Sequence, residues 1–551
     1  MKKFSSIFIC TLIASFLLNS CKKADEVVRN TSNNLADIYA TLEGKGSERL
    51  FLPRYSAAGD TIYFDLPYFY PVNSDNAVDL SKIIIRSTVP ADSKVSPMLG
   101  TIMDVSKPFR MDITSGSGEV RSFVVVTKKV GDVSVTSAKV NYTAGGLPQE
   151  VHAVVKDSEI LFYILPGTDV SNVVLDLEIN KHSTSSIATG TSINLSQDVP
   201  LTITGVDGLT KTYTLKATEP VKLNYGVGIN RRLWTKTGLD LGFNTINETS
   251  IAISGDYLVL VSRTNPARYR LYDRNTGVYV KDLAVPFGGL AMMVAHDING
   301  TLIGATYAAK GAKLLIYKWP NGVDQAPEKL IEWTNTGNAT GRRLNIYGDL
   351  STNAVITSPA DQSTNINKWV ITNGQLVSNT PEIIDYKSLA GGAASKMGFQ
   401  VDAQPISATP NTNYFLNYQH ELALVNGVSH ERMTAFANET AVYGVFHFAT
   451  DYIEFNNAKY LAIQKFTNWN FTTAILGLYD VTETSKITLS AADPRYNTFN
   501  IYNSEIFTGG PNGNGTGDVC IALSPDKERM QVFMLTTNGG IIAHEFTKYA
   551  P

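Results

Sequence analysis

The sequence predicts an all-β chain: two Ig-like (immunoglobulin-like) β-sandwiches followed by a β-propeller of six blades, or seven. Three observations carry that expectation. A set of short alternating strands recurs after ninety residues, a looser repeat of about 50 residues fills the rest, and no heptad or long helical period interrupts either. At 551 residues the chain exceeds the ~250–300 at which a single core stops growing, so several domains are expected. Hydrophobic residues make up 43% and charged residues 18%, which is enough apolar material to pack those domains and excludes wholesale disorder.

Residues 1–20 read as a signal peptide. Lys2 and Lys3 give a positive start, and Phe4 to Leu18 is an apolar stretch of 15 residues; a membrane-spanning helix needs roughly 20. The stretch ends in Leu18-Asn19-Ser20-Cys21, which resembles the lipobox of bacterial lipoproteins: an apolar residue, any residue, a small residue, then cysteine. The resemblance implies that Cys21 becomes the lipidated first residue of the mature chain, held to a membrane by acyl chains that bury about 0.8 kcal/mol per CH₂. Residues 21–37 are too polar to order themselves and read as a tether. Within them, Lys22-Lys23-Ala24-Asp25-Glu26 resembles the surface-export signal of Bacteroidetes lipoproteins, which implies an outer-membrane location facing the cell exterior.

Three cysteines cannot build a disulfide scaffold or a zinc cluster. Cys10 leaves with the signal peptide. Cys520 sits in the apolar run Val519-Cys520-Ile521-Ala522-Leu523, where a buried inert thiol is expected.

Residues 38–130 and 131–220 carry the ninety-residue repeat. Asp104-Val105-Ser106, Ile113-Thr114, Gly118 and Phe123-Val124-Val125-Val126 recur as Asn194-Leu195-Ser196, Ile203-Thr204, Gly208 and Tyr213-Thr214-Leu215-Lys216. Both copies end in two alternating runs around a glycine turn, a hairpin signal. Ninety residues of short strands is the size of an immunoglobulin-like sandwich, although the tryptophan and paired cysteines of antibody domains are absent. The modules resemble the tandem Ig-like modules of Bacteroidetes lipoproteins, which implies a spacer role. The segment Tyr63-Phe64-Asp65-Leu66-Pro67-Tyr68-Phe69-Tyr70-Pro71 packs five aromatics around two prolines. Alternate rings of a strand face opposite ways, so it reads as core packing with a proline-stiffened edge, with an interaction patch as the alternative.

Residues 221–551 hold all five tryptophans and the second repeat. Arg270 to Gly277, Leu315 to Gly322, Lys368 to Gly374 and Leu422 to Gly427 each give a strand and then a glycine turn. Leu476 to Thr482 keeps the strand without the glycine, and Met534 to Gly539 is the last candidate. Strand, turn and strand at this period predict propeller blades, six of them between about Ser250 and Lys548. Tyr225 to Asn247 either donates a strand that closes the last blade or begins a seventh.

Little chemistry is written locally. With 47 basic and 50 acidic residues the net charge is −3, so no nucleic-acid partner is expected. Gly509 to Asp518 lacks the Gly-Lys-Ser/Thr ending of a phosphate loop and precedes a strand, so it reads as a flexible loop; a calcium or sugar contact through Asp518 is the minor alternative. Asn426-Gly427 predicts a two-residue hairpin turn with Ala423 opposite His430, which points His420 and His430 to opposite faces and excludes a shared ion. The same register sets Glu421 beside Arg432. Asp451 and Glu454 fall on opposite faces of a strand, so a carboxylate pair for glycoside chemistry would have to come from different blades. Asp297 to Gly300 is a turn without a calcium-loop ligand series. No catalytic residue, metal or cofactor is assigned.

Aromatic supply remains. Trp319 and Trp369 sit near matching repeat positions and read as blade packing. Trp234, after Arg231-Arg232, and Trp469, beside Asn470, lie among polar neighbours and read as loop residues; a ring flanked by amides suits a sugar. Ligand contacts are therefore expected at Trp469, Asn470 and Trp234, and with less support at Trp333. Over nearly its whole length the chain resembles Bacteroidetes surface lipoproteins with Ig-like repeats and a propeller-like C-terminal domain. That resemblance implies non-catalytic binding of a polysaccharide or oligosaccharide in a glycan-acquisition system, with an outer-membrane transport complex as a further partner. The alternatives are a propeller-based glycoside hydrolase or polysaccharide lyase, and an adhesion or scaffold protein that binds another protein.

Overall fold

The structure, a computed structural model, describes residues 28–551 except 47, 145–146, 244–245, 265, 286–290, 390–395, 419–420, 438–445 and 514. The signal peptide, Cys21, the start of the tether and His420 lie outside the described residues. Among those described the chain is all-β: strands and three short 3-10 turns, and no helix long and apolar enough to cross a membrane. Two compact units divide it, the smaller drawn from residues 1–216 and the larger dominated by 217–551.

The ninety-residue repeat is a repeat of topology. In the first module Asp37–Leu42, Ile83–Thr88 and Ile102–Met103 form one sheet; Arg54–Tyr55, Thr61–Pro67, Val120–Val130, Phe109–Thr114 and Lys94–Ser96 form the other, in that order. The second module repeats the second sheet strand for strand with Val154–Lys156, Glu159–Tyr163, Thr210–Thr218, Val199–Thr204 and Thr184–Ser185. Its other sheet holds Val135–Ala144, Val173–Ile179 and Ser192–Ile193, with Leu147–His152 added at the edge beside Val135–Ala144. The last hairpins share a register, Thr114 opposite Val120 and Thr204 opposite Thr210. Alternation sends Ile113, Phe123 and Val125 into one core and Ile203, Tyr213 and Leu215 into the other. The Asp104 and Asn194 side chains each accept the backbone N–H two residues on, at 2.9 Å, which drops Val105 and Leu195 into the cores.

The aromatic segment divides its labour. Strand Thr61–Pro67 buries Ile62, Phe64 and Leu66, and the turn beyond it meets the second module. Phe69 stacks on the His182 ring at 3.9 Å, the His182 Nε2–H donates to the Ser74 carbonyl at 2.8 Å, and Lys181 pairs with Asp75 at 2.8 Å. The segment thus forms part of a joint between the two modules.

Among the described residues the larger unit contains six antiparallel sheets of four or five strands, and in the first five of them the first four strands follow chain order. The sheets are numbered one (residues 248–283), two (291–334), three (345–385), four (402–435), five (446–508) and six (517–547). Sheet six takes its fourth strand from Asn230–Thr237, which pairs antiparallel with Gly540–Thr547. The segment before sheet one therefore completes the last sheet. First strands lie against first strands in succession: one on two, two on three, and onward to six, which lies against one. Glu248–Ser254 and Asp402–Pro405 are buried at every residue, as strands covered on both faces must be.

The 50-residue repeat maps onto third strands in sheets one to five: Arg268–Asp273, Lys313–Trp319, Asn365–Thr372, Glu421–Val425 and Thr473–Asp480. The sixth candidate differs. Met534 ends the second strand of sheet six, Arg529–Thr536, and the third strand is Gly540–Thr547. The hairpin expectation at Asn426-Gly427 is also corrected: Val425 pairs with Arg432 and Ala423 with Ala435, so the loop spans six residues. Asn426 closes it by accepting the Val428 and Ser429 N–H groups at 2.8 and 3.0 Å. Glu421 does pair with Arg432.

Candidate binding site

The first strand of each sheet has no neighbour on its inner edge, so its N–H and C=O groups need other partners. A buried unsatisfied amide costs about 1–3 kcal/mol, and polar side chains reaching across from adjacent sheets remove that cost here. Between sheets one and two, Ser250 Oγ accepts Val294 N–H at 3.1 Å. Asp297 of sheet two accepts Leu350 N–H at 3.0 Å; Thr357 of sheet three donates to the Ala403 carbonyl of sheet four. Asp402 accepts Thr450 N–H at 2.6 Å, Asp451 accepts Ile521 N–H at 2.7 Å, and Asp518 accepts Ile251 N–H at 2.9 Å. Every junction between successive sheets, sheet six to sheet one included, carries such a bond.

The same groups set the electrostatics of this axis. Asp518 also takes Arg343 at 3.2 Å, yet burial pushes its carboxyl up to about 6. Asp451 is pushed up to about 8, first by burial and further by the charges of Asp518 and Asp402. His296 Nδ1 accepts Ile253 N–H at 3.3 Å, so Nε2 carries the proton donated to the Ile521 carbonyl at 3.0 Å; burial pulls this imidazole down to about 4. Cys520 sits among them, its thiol driven up by burial and the neighbouring aspartates, and is inert. Asp402 Oδ1, Arg343 Nε and Asn345 Oδ1 find no hydrogen-bond partner among the described residues. The cavity between the sheets there is about 30 Å³, room for about one water and none for a sugar ring. No three His, Cys, Asp or Glu among the described residues are placed to hold a metal.

The two ends of the first strands carry different loops. Where the first strands finish, a cavity of about 240 Å³ is lined by Tyr347, Tyr452, His296, Asp451, Asn299 and Lys527, with the two tyrosine rings 5.3 Å apart. Where they begin, the rim carries the loops that join second to third strands. Asn468 folds the loop after Ala458–Phe466 by accepting Thr472 N–H at 3.1 Å and donating to the Thr472 and Thr473 hydroxyls. Trp469, 67% exposed, and Asn470 stand at its tip.

Also on this rim, Arg342 Nε donates to both Asp361 oxygens at 3.1 and 3.2 Å, and its guanidinium lies 5.5 Å from the Tyr307 ring and 5.4 Å from the Phe399 ring. Tyr307 OH donates to Asp361 at 3.2 Å, and burial raises the Asp361 carboxyl against the pull of Arg342. Backbone bonds stitch the loops together, Gln362 N–H to the Gly398 carbonyl at 2.7 Å and Met397 N–H to that of Ser363 at 3.0 Å.

The tryptophans separate cleanly. Trp234 lies in strand Asn230–Thr237 rather than in a loop; it is buried, and its indole N–H donates to the Arg274 carbonyl at 3.0 Å. Trp333 is buried too, edge-on to Trp369 at 5.9 Å. Neither offers a ring face to a ligand. Trp319 and Trp369 are core residues. Asp518 points to the axis, where Ser250, Ile251 and Arg343 occupy it, and not to a sugar or calcium. Sequence reasoning missed the axial aspartates and the Arg342 cluster; the one local signal for the latter is the pair Arg342-Arg343 before a short strand.

Residues 16–127 match DUF5018, a domain of unknown function. The crystal structure of a DUF4623 family protein from Bacteroides eggerthii DSM 20697 is similar at 18% identity and a TM-score of 0.47, over 76% of this chain and 98% of that one. No curated protein matches. Residues 236–544 match DUF8500, also a domain of unknown function. That match takes in sheets one to five and nearly all of sheet six, more than half of the length, and the chain belongs to the DUF8500 family.

Proposed function

We propose that the protein is a lipid-anchored, surface-exposed glycan-binding protein of an outer membrane. In this reading the six sheets are the blades of a β-propeller closed by strand Asn230–Thr237, and the two N-terminal modules are Ig-like spacers. The glycan lies on the rim where the first strands begin. The observation that carries the reading is Trp469: a large ring left 67% exposed on a loop that Asn468 holds in shape, with the Asn470 amide beside it. Such a face stacks on sugar C–H groups while the amide serves the hydroxyls.

A hydrolase or lyase is the second reading, favoured by Asp451, a carboxyl pushed up to about 8 that lines the cavity at the other end of the first strands. Both its oxygens already accept backbone N–H groups, from Tyr452 at 2.8 Å and Ile521 at 2.7 Å, which argues for cohesion over proton transfer. Affinity electrophoresis through a polysaccharide panel, with product analysis, separates the readings. Binding predicts retardation without cleavage, and Trp469→Ala should weaken it at least fivefold. New reducing ends or unsaturated products would replace it with the enzyme. No retardation and no product would leave a protein partner.

A further inference from the structure

Apart from Trp469, the rim carries a second ledge, built from loops of sheets two, three and four. At its centre the Arg342 guanidinium lies 5.5 Å from the Tyr307 ring and 5.4 Å from the Phe399 ring. Its Nε donates to both Asp361 oxygens, at 3.1 and 3.2 Å. Among the described residues neither Nη donates to a carboxylate or a carbonyl, and one fifth of the side chain is exposed. Phe399 is 54% exposed. The ledge is braced from behind. The Asn338 amide donates to the Asp361 and Gln362 carbonyls at 2.9 and 3.1 Å, and Gln362 N–H donates to the Gly398 carbonyl at 2.7 Å. Gln362 itself is held at φ 51°, left-handed backbone that a residue with a Cβ keeps only where its surroundings enforce it. Three loops are thus locked together behind a donor fork and a ring that both face solvent.

We propose that this ledge is a second sugar subsite, and that together with Trp469 it makes the rim a site for a polysaccharide chain several units long. One sugar ring sets its C–H groups against Phe399 and places a hydroxyl or carboxylate oxygen on the Nη groups of Arg342. Asp361 offsets the charge of the arginine, so its donors serve neutral hydroxyls as well as carboxylates. Tyr307 follows the second strand of sheet two, Arg342 and Asp361 flank strands of sheet three, Phe399 precedes sheet four, and Trp469 lies in sheet five between its second and third strands. Packed sheets stand about 10 Å apart, so a ligand reaching from sheet three to sheet five covers roughly 20 Å, several times the width of one sugar ring. Locked loops lose little freedom on binding, and a chain that engages both subsites gains from their linkage. The inference rests on the glycan-binding reading and extends it from one exposed ring to a chain-length site.

The test is affinity electrophoresis of the full mature chain in gels of each polysaccharide of the panel, dextran, xylan and polygalacturonate among them. Oligosaccharides of one to six units from the same polymer are added as competitors. Retardation is expected in at least one gel, and polygalacturonate against the neutral polymers tells a carboxylate from a hydroxyl on Arg342. The hexamer should compete about tenfold better than the dimer. Phe399→Ala should weaken retardation severalfold, as should Arg342→Lys, which keeps a positive charge beside Asp361; the exposed Phe399 keeps the test open if the arginine variant misfolds. Combining Phe399→Ala with Trp469→Ala should weaken it further than either alone. Retardation that survives both Phe399→Ala and Arg342→Lys unchanged, or a monosaccharide that competes as well as the hexamer, overturns this inference and leaves a glycan-binding rim centred on Trp469. No retardation in any gel of the panel overturns the glycan reading itself.

Discussion

Arg342 and Arg343 are neighbours in the chain, each meets an aspartate at 3.1–3.2 Å, and they do opposite things. Both sit in a bend just before strand Asn345–Gly348, and their side chains part there, Arg343 to the axis and Arg342 to the rim. On the axis Asp518 is saturated: Ser250, Ile251 N–H and Val519 N–H join Arg343 on its two oxygens. On the rim the Arg342–Asp361 pair lies against the half-exposed Phe399. The same ion-pair chemistry therefore ties sheets together on the axis, where Asp518 takes four donors, and lies beside a half-exposed ring at the rim. Burial of the carboxylate does not separate the cases, since Asp361 and Asp518 are both nearly covered. What stands beside the arginine does.

The largest expected effect breaks the axial side. Asp518→Ala leaves Arg343 buried and unpaired and removes the acceptor of Ile251 N–H, a loss of about 3–5 kcal/mol. Asp361→Ala, at a pair whose carboxylate is buried but whose arginine is one fifth exposed and can reach water once freed, should cost less, about 1–3 kcal/mol. Urea unfolding of the two variants measures the difference. Equal costs would mean that axis and rim are not distinct environments. Trp234→Ala belongs with the axial class at about 3–5 kcal/mol, since its ring packs inside and its N–H is used.

Next in size is a dependence on pH that only the axis should show. The folded chain holds the Asp451 and Asp518 protons to about 8 and about 6, whereas unfolded carboxyls release theirs near 4. Their contribution to stability is full below about pH 4 and drains as pH rises through the folded values. His296 and His544, both pulled down to about 4 by burial, oppose this: their contribution is lost as pH falls from about 6.5 toward 4. From about pH 6.5 to 8 the histidines add nothing and Asp451 by itself should lower stability by about 2 kcal/mol, with Asp402, whose carboxyl burial also raises, acting in the same direction. Asp451→Asn should flatten that slope in unfolding curves taken across the window. A slope unchanged by the substitution would remove Asp451 as its source.

How much of this was legible follows from how local each signal is. The ninety-residue repeat is carried by turn chemistry within a few residues, Asp104 to Ser106 and Asn194 to Ser196, and the register follows from it. The 50-residue repeat is read correctly through five third strands and slips by one strand at the sixth, where strand Asn230–Thr237 arrives from the other end of the domain. Trp234 misled because Arg231 and Arg232 precede it. Those arginines pair with Glu545 and Glu505, while a bulge between Arg232 and Trp234 shifts the register there and the indole is packed inside. Gly427 misled differently: a Cβ there would sit 2.1 Å from the Thr412 carbonyl, so close approach demands the glycine, not a tight hairpin. The axis was illegible because Asp402, Asp451 and Asp518 come from three sheets and no spacing encodes their convergence.

The smallest effect is the sharpest discriminator for the rim. Trp469 and Trp234 are the same side chain in strands or loops of one domain, 67% and 3% exposed. Truncating a ring that already faces water removes little buried apolar area, so Trp469→Ala should change unfolding free energy by less than about 0.5 kcal/mol. Asn468 holds the loop through its hydrogen bonds to Thr472 and Thr473. A residue that costs nothing to remove from the fold but weakens retardation in a polysaccharide gel is kept for binding. If Trp469→Ala destabilises the domain by several kcal/mol, the ring packs in solution, and the rim loses its most exposed aromatic as a ligand contact. The Asn468→Ala variant separates loop from ring: it should lower binding as Trp469→Ala does, by letting the tip move, while leaving the indole in place.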